Sequence, residues 1–228
     1  EIDFTELPGI QKDIIDRSFS FGKPIVTATQ MLDSMMVNPR PTRAEISDVA
    51  NAIYDGTSAI MLSGETAAGD YPVEALKTMS AIAERTENEE HYRPQRHAEI
   101  QISVSDATAH AACLTAKDVN AAAIVTVSES GNTARLLSKY RPKQPIIACV
   151  MDEQVQRQLA LSWGITPLMM PLAHSTDELI EMSTSLAKEN GYLHNGELTV
   201  VTAGVPVGVS GTTNMIKIHM VGNCLATG

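Results

Sequence analysis

The sequence predicts an α/β protein in two parts: a short parallel strand–helix run, then a three-layer domain built on a five-stranded, mostly parallel sheet. Three observations predict it. Apolar β-rich runs alternate with stretches of helical periodicity along most of the chain. Hydrophobic residues reach 43% while aromatics are only 4%, so Ala, Val, Ile and Leu dominate, which suits helices packed on aliphatic strands. A polar segment from Glu84 to Gln101, rich in Glu, Arg, His and Asn, divides the two parts. The expected boundaries are 1–89 for the first part, 90–101 for a connector and 102–228 for the second domain.

In the first part, Leu7-Pro8 opens a helix in which Ile10, Ile14, Ile15 and Phe19 recur at helical spacing, and Gly22-Lys23-Pro24 stops it. Pro24 to Thr29 is the profile of a buried parallel strand. Thr42 with Glu45 three residues on forms a capping box, which starts a helix reaching Tyr54. Asp55-Gly56 ends that helix, and Ser58 to Leu62 reads as a second buried strand. Tyr71-Pro72-Val73 begins a long helix, apolar at Leu76, Met79, Ile82 and Ala83. Two strands cannot close a parallel sheet by themselves.

The second part continues the alternation. Helices are expected at 103–117, 133–140, 152–161 and 175–190, and strands at 121–127, 145–150, 165–170, 197–202 and 215–221. Between the last two strands, Gly204 to Thr213 is too Gly-rich for an element interior. Glu1 is not Met, and the tail after Gly222 carries no stop signal, so both ends read as interrupted.

Charge and cysteine content exclude several functions. Seventeen Lys and Arg against 27 Asp and Glu give a net charge of −10 with no basic stripe, which argues against nucleic acid. Cys113, Cys149 and Cys224 lie far apart in apolar or small-residue surroundings; without CxxC spacing they read as inert buried thiols. No apolar run approaches the length of a membrane span, and no signal segment opens the chain. A soluble cytoplasmic protein is expected. The six His show no HExxH spacing, so no metal site is expected. His91 and His97 belong to the polar connector. Met35, Met36, Met169 and Met170 read as core or interface filler, and Trp163 as packing where a helix turns into a strand.

Two segments offer chemistry. Thr27-Ala-Thr29-Gln30 and Leu62-Ser63-Gly64-Glu65-Thr66 follow the two early strands, at the edge where parallel α/β folds bind ligands. Their hydroxyls and carboxylate suit oxyanion binding or proton passage; equally, Thr29 and Ser63 suit helix capping. The second segment, Ser128-Glu-Ser130-Gly131-Asn132-Thr133-Ala-Arg135, runs from a strand through a Ser/Gly loop into a helix. That arrangement aims N–H groups at a phosphate, although the spacing is not a P-loop, and an ordinary capped turn is the competing reading. Ser210-Gly211-Thr212-Thr213 supplies a second loop of matching chemistry. Arg40 and Arg43 sit near a helix N-terminus, against its dipole, which hints at an anion or at an acidic group across an interface.

Ala28-Thr-Gln-Met-Leu-Asp-Ser-Met35, Asn38-Pro-Arg-Pro-Thr-Arg-Ala-Glu45, Asp48-Val-Ala-Asn51 and Met61-Leu-Ser-Gly-Glu-Thr-Ala67 closely resemble pyruvate kinase. Lys139-Tyr-Arg-Pro142, the loop before Thr133 and Ser210-Gly-Thr-Thr-Asn214 resemble the last domain of that family. The resemblance implies that 1–89 is the C-terminal part of a (β/α)8 catalytic barrel and that 102–228 is the regulatory domain. It implies phosphoryl transfer from phosphoenolpyruvate to ADP, giving pyruvate and ATP, with Mg2+ and K+ in the full enzyme. By the same match Thr29 contacts phosphoenolpyruvate, Ser63 and Glu65 join the proton-delivering network, and Arg43 lies at a subunit interface of a homotetramer. Ser128, Ser130, Gly131, Asn132, Thr133, Ser210, Gly211 and Thr212 would hold the phosphate of an effector.

The resemblance also places the family's catalytic Lys, its metal-binding acids, its K+ ligands and its phosphate-binding Arg before residue 1. The chain alone is therefore expected to be inactive. Animal relatives that take fructose 1,6-bisphosphate use a Trp and an Arg between Met170 and Asn190, and neither type occurs there. AMP or a sugar monophosphate is the expected effector, as in bacterial relatives, some of which carry an extra domain after the position of Gly222. The rival reading is a standalone module that binds phosphorylated metabolites without catalysis.

Overall fold

A computed structural model describes residues 3–28, 30–89, 103–207 and 213–222. The chain divides into two compact units, Glu1–His97 and Ala98–Gly228.

The first unit opens with a 3-10 turn, Phe4–Glu6, whose cap is Asp3: its carboxylate accepts the Thr5 N–H at 2.9 Å. Helix α1 (Leu7–Ser20) follows with Pro8 in its first turn, where a missing N–H costs nothing. It buries Ile15 and Phe19 and ends at Gly22, whose φ of +61° is cheap only for glycine. Strand β1 (Val26–Ala28) pairs in parallel with β2 (Ala59–Met61), in the register Val26 to Ala59, Thr27 to Ile60 and Ala28 to Met61. Helix α2 (Arg43–Tyr54) starts with the expected capping box, Thr42 accepting from the Glu45 N–H while Glu45 accepts from the Thr42 N–H. A four-residue helix α3 (Gly64–Ala67) comes next, then α4 (Pro72–Glu87). Leu32, Met35, Val49, Ala52, Ala75 and Met79 form the core of this unit, joining α2 and α4 to the turn after β1.

The two strands depart from the expectation of full burial. Val26 is 48% exposed and Met61 41% exposed. Among the described residues each strand pairs only with the other.

The second unit holds the five-stranded sheet in the order β5-β4-β3-β6-β7. Its strands are β3 (Ala123–Val127), β4 (Ile146–Val150), β5 (Ile165–Met169), β6 (Leu198–Gly204) and β7 (Thr213–Met220). The first four run parallel, and β7 is antiparallel to β6. Helices α5 (Val104–Asp118), α6 (Asn132–Lys139) and α7 (Glu153–Leu159) alternate with these strands, and α8 (Thr176–Glu189) precedes β6. Side-chain alternation separates two cores. Ile124, Ile146 and Val200 meet α5 and α6 through Ala109, Ala112 and Leu137. Val125, Ile147 and Val201 meet α8 through Leu179, Ile180 and Ala187.

Strand β6 extends to Gly204 and β7 starts at Thr213, longer than expected; Gly204 pairs with Thr213 after a register shift beyond Ala203. Pro167 lies in the edge strand β5, where a missing N–H is tolerated. Met35 and Met170 are core residues, whereas Met169 is exposed. Trp163 stands between α7 and β5; the Arg141 guanidinium lies 4.6 Å from its ring, and its carbonyl accepts the Ser138 hydroxyl at 2.6 Å. Cys113 and Cys149 are buried free thiols, pushed up by that burial to about 12, so they stay protonated at neutral pH. Cys224, His91 and His97 lie outside the described residues. Among those described, no helix is long and apolar enough to cross a membrane.

Candidate functional site

The loops that leave the carboxyl ends of β1 and β2 are tied together by a buried carboxylate. Glu65, 2% exposed, sits in the first turn of α3. One of its oxygens accepts the Leu32 N–H at 3.0 Å and the other accepts the Ser63 N–H at 2.8 Å. Burial pushes the pKa of Glu65 up, but the N–H groups of Leu32, Ser63 and Glu65 itself outweigh it and leave the pKa below the usual carboxylate range. Ser63 precedes α3 without a capping hydrogen bond from its side chain, so the simple capping alternative does not describe it. Thr29 lies outside the described residues; its neighbour Gln30 has φ of +52°.

A second carboxylate acts on the same turn. Glu45 accepts the Ser34 N–H at 2.7 Å with one oxygen. With the other it accepts the Ser34 hydroxyl at 2.6 Å, the Thr42 N–H at 2.7 Å and the Thr42 hydroxyl at 2.8 Å. Burial works against ionisation here too, and the Ser34 and Thr42 donors reverse it, holding Glu45 below its ordinary value. The capping box identified Glu45 from sequence; its grip on Ser34 has no local signature. Arg43, beside it, is exposed on α2.

Both carboxylates therefore stabilise the fold only when ionised. Their contribution is complete above the ordinary value of 4.5 and is lost as pH falls through the depressed values of the folded state. The expected result is a urea midpoint for the first unit that drops on acidification below 4.5. Replacing both groups by Gln should flatten that drop.

The second candidate lies between β3 and α6. Gly131 caps α6 with φ of +75°, and no side chain caps this helix, which sets aside the capped-turn reading of Ser128 and Ser130. A Cβ at Gly131 would stand 3.1 Å from both Leu159 and Val155 of α7, so the loop backbone lies flat on that helix. Arg135 pins it further, donating to the Ser130 carbonyl at 3.0 Å and to the Gln158 side-chain oxygen at 3.2 Å. Ser130 and Asn132 remain exposed, while Ser128 and Thr133 are buried. The hydroxyl of Thr133 lies 2.5 Å from that of Thr213, bringing the start of β7 to the loop. Ser210, Gly211 and Thr212 lie outside the described residues. The sequence pattern pointed to both loops, Arg135 and Thr213 included; it did not show that Thr133 meets Thr213 or that Arg135 reaches Gln158 of α7.

A parallel β/α pair with its loops cross-tied at the carboxyl edge, followed by a doubly wound domain with a glycine-capped loop before α6, defines a two-unit α/β protein. Comparison with known proteins narrows the class, and the chain belongs to the pyruvate kinase family. The family model for the pyruvate kinase barrel domain matches residues 1–76, and that for the pyruvate kinase alpha/beta domain matches residues 106–219. A pyruvate kinase of Clostridium acetobutylicum is 53% identical over 224 residues, covering 97% of this chain and 47% of the relative. One from Geobacillus stearothermophilus is 52% identical over 231 residues, covering all of this chain and 39% of the relative. The crystal structure of a pyruvate kinase from Cryptosporidium parvum superposes with a TM-score of 0.84 at 38% identity, over 96% of this chain and 44% of that one. The chain thus spans less than half the length of the relatives it matches.

Proposed function

We propose that the full-length protein transfers the phosphoryl group of phosphoenolpyruvate to ADP and protonates the resulting enolate to pyruvate. The observation that carries this reading is the likeness to pyruvate kinases, at 52–53% identity over 97% or more of the chain. In this reading Thr29 contacts phosphoenolpyruvate and the Ser63 hydroxyl belongs to the route by which a proton reaches the enolate carbon. Arg43 belongs to an interface of a homotetramer in the cytoplasm. Ser128, Ser130, Gly131, Asn132 and Thr133, with Ser210, Gly211 and Thr212, cradle the phosphate of an effector such as AMP or a sugar monophosphate.

The family's Mg2+ and K+ would neutralise charge on the transferring group. The described residues offer no cluster of acids for Mg2+. No group of three or more His, Cys, Asp or Glu converges among them, and the oxygens of Glu45 and Glu65 already accept N–H and O–H donors. What this chain contributes is placement: a fixed strand edge for the substrate hydroxyl contacts, and a preformed anion loop in the second unit. A standalone binding module leaves the match of residues 1–76 to a catalytic barrel domain without a purpose.

The experiment is ATP formation from phosphoenolpyruvate and ADP by the full-length protein, wild type against Thr29→Ala and Thr133→Glu. Loss of a substrate contact at Thr29 should lower turnover by about a hundredfold. Wild-type kinetics in Thr29→Ala would remove that residue from the site, and no ATP from the wild type would overturn the reading. Thr133→Glu puts a carboxylate where a phosphate would bind and breaks the contact with Thr213. Activation by AMP or a sugar monophosphate should disappear while basal turnover persists; unchanged activation would sink the cradle.

A further inference from the structure

The geometry points to Glu65 and Glu45 as a positioning pair that locks the turn after β1, with Glu65 excluded as the group that hands its proton to the enolate. The inference rests on the pyruvate kinase reading and revises the part that Glu65 takes in it.

Leu32 and Ser34 stand two positions apart on one turn, and two carboxylates hold them from different elements, Glu65 from α3 and Glu45 from the first turn of α2. The turn needs holding. Gln30, immediately after Thr29, has φ of +52°, a conformation that is unfavourable for a non-glycine residue and persists only where its surroundings impose it. The same turn is gripped a third time at Met36, whose carbonyl accepts the Asp70 N–H at 2.8 Å and whose side chain fills the space over Gly64.

Proton delivery by Glu65 conflicts with these bonds. A carboxylate that donates must first be protonated, and a protonated oxygen no longer accepts an N–H in that direction. Glu65 spends one oxygen on Leu32 and the other on Ser63, with almost no surface open to water. Ionised and holding one N–H donor on each oxygen, it is equipped to fix the Ser63 backbone and the turn that carries Leu32. The pKa of Glu65, held below the ordinary carboxylate range despite burial, agrees with an anion at neutral pH.

The test uses the full-length protein with Glu65→Gln and, separately, Glu45→Gln. Two rates are measured side by side: ATP formation from phosphoenolpyruvate and ADP, and exchange of the pyruvate methyl protons into deuterated water. Gln offers one acceptor and a donor that faces an N–H, so each variant loosens the turn. A positioning pair lowers both rates in the same proportion in both variants, by about ten- to a hundredfold, and raises KM for phosphoenolpyruvate. A fall in proton exchange at least tenfold greater than the fall in ATP formation, confined to Glu65→Gln, would identify a proton carrier and overturn the proposal. Unchanged kinetics in both variants would overturn it as well.

Should Glu65→Gln fail to fold, Glu45→Gln decides: proportional losses support the pair, and wild-type rates refute it. If the wild type forms no ATP, the pyruvate kinase reading falls by itself. Amide hydrogen exchange at Leu32 and Ser34 then still tests the clamp, because protection lost in both variants supports it and protection retained refutes it.

Discussion

Lys139→Ala is expected to destabilise the second unit by about 3–5 kcal/mol, the cost of stranding one charge of a buried pair. Lys139 closes α6 and Asp106 lies in the first turn of α5; their side chains are 1% and 2% exposed. The ammonium stands 3.1 and 3.3 Å from the two carboxylate oxygens. Each charge sits at the favourable end of its own helix dipole, the anion at an N-terminus and the cation at a C-terminus. The Tyr140 ring packs beside the ammonium at 5.1 Å, and burial with the Asp106 charge raises its phenol above the ordinary value. Alanine removes the cation that faces both Asp106 carboxylate oxygens. Urea unfolding of the full-length protein, followed on the second unit, measures the loss; a change under about 1 kcal/mol would class the pair with surface ion pairs. The double substitution Lys139→Met with Asp106→Leu should recover most of the stability, because it removes the stranded charge along with its partner.

Gly69→Ala is expected to cost more than Gly64→Ala, although both glycines pack against the same methionine. A Cβ at Gly69 would lie 2.7 Å from the Glu65 carbonyl oxygen and 3.1 Å from the Met36 Cα. Both are backbone atoms, and no rotamer change can clear them. The overlap has to be relieved by moving α3 or the turn after β1, at the upper end of the roughly 1–3 kcal/mol typical of overpacking. At Gly64 the near atoms are the Sδ and Cε of Met36, at 2.9 and 3.3 Å, the mobile end of a flexible side chain. Its substitution should cost under about 1 kcal/mol. Thermal unfolding ranks the two variants. Because Gly69→Ala displaces the backbone that carries Glu65, it should also lower turnover of the full-length protein, and equal effects at the two glycines would contradict this account.

Short-range patterns carried the element plan. Thr42 and Glu45 are three residues apart, so the capping box was legible and the helix begins there. Ser103, Asp152 and Ser175 stand at expected helix starts, and each accepts an N–H from three residues on. The apolar runs of β3 and β4 became strands buried along their whole length. The strands of the first unit show where such reading stops. Composition reports what a strand is suited to bury, and exposure depends on which neighbours are present. The hydroxyl caps assigned as alternatives at Ser63 and Ser128–Ser130 also failed, since a hydroxyl next to a helix start has several partners to choose among.

The sequence by itself determined the α/β class, the order of the elements, the likeness to pyruvate kinase and the Ser/Gly loop before α6, all of which are encoded within a few residues of one another. Only the tertiary structure decided that Glu65 holds Leu32, that Lys139 pairs with Asp106, each across 33 positions, and that Thr133 meets Thr213 across 80. Such partners are chosen when packing excludes water and every buried polar group must find a donor or acceptor within reach, a condition that no local pattern records.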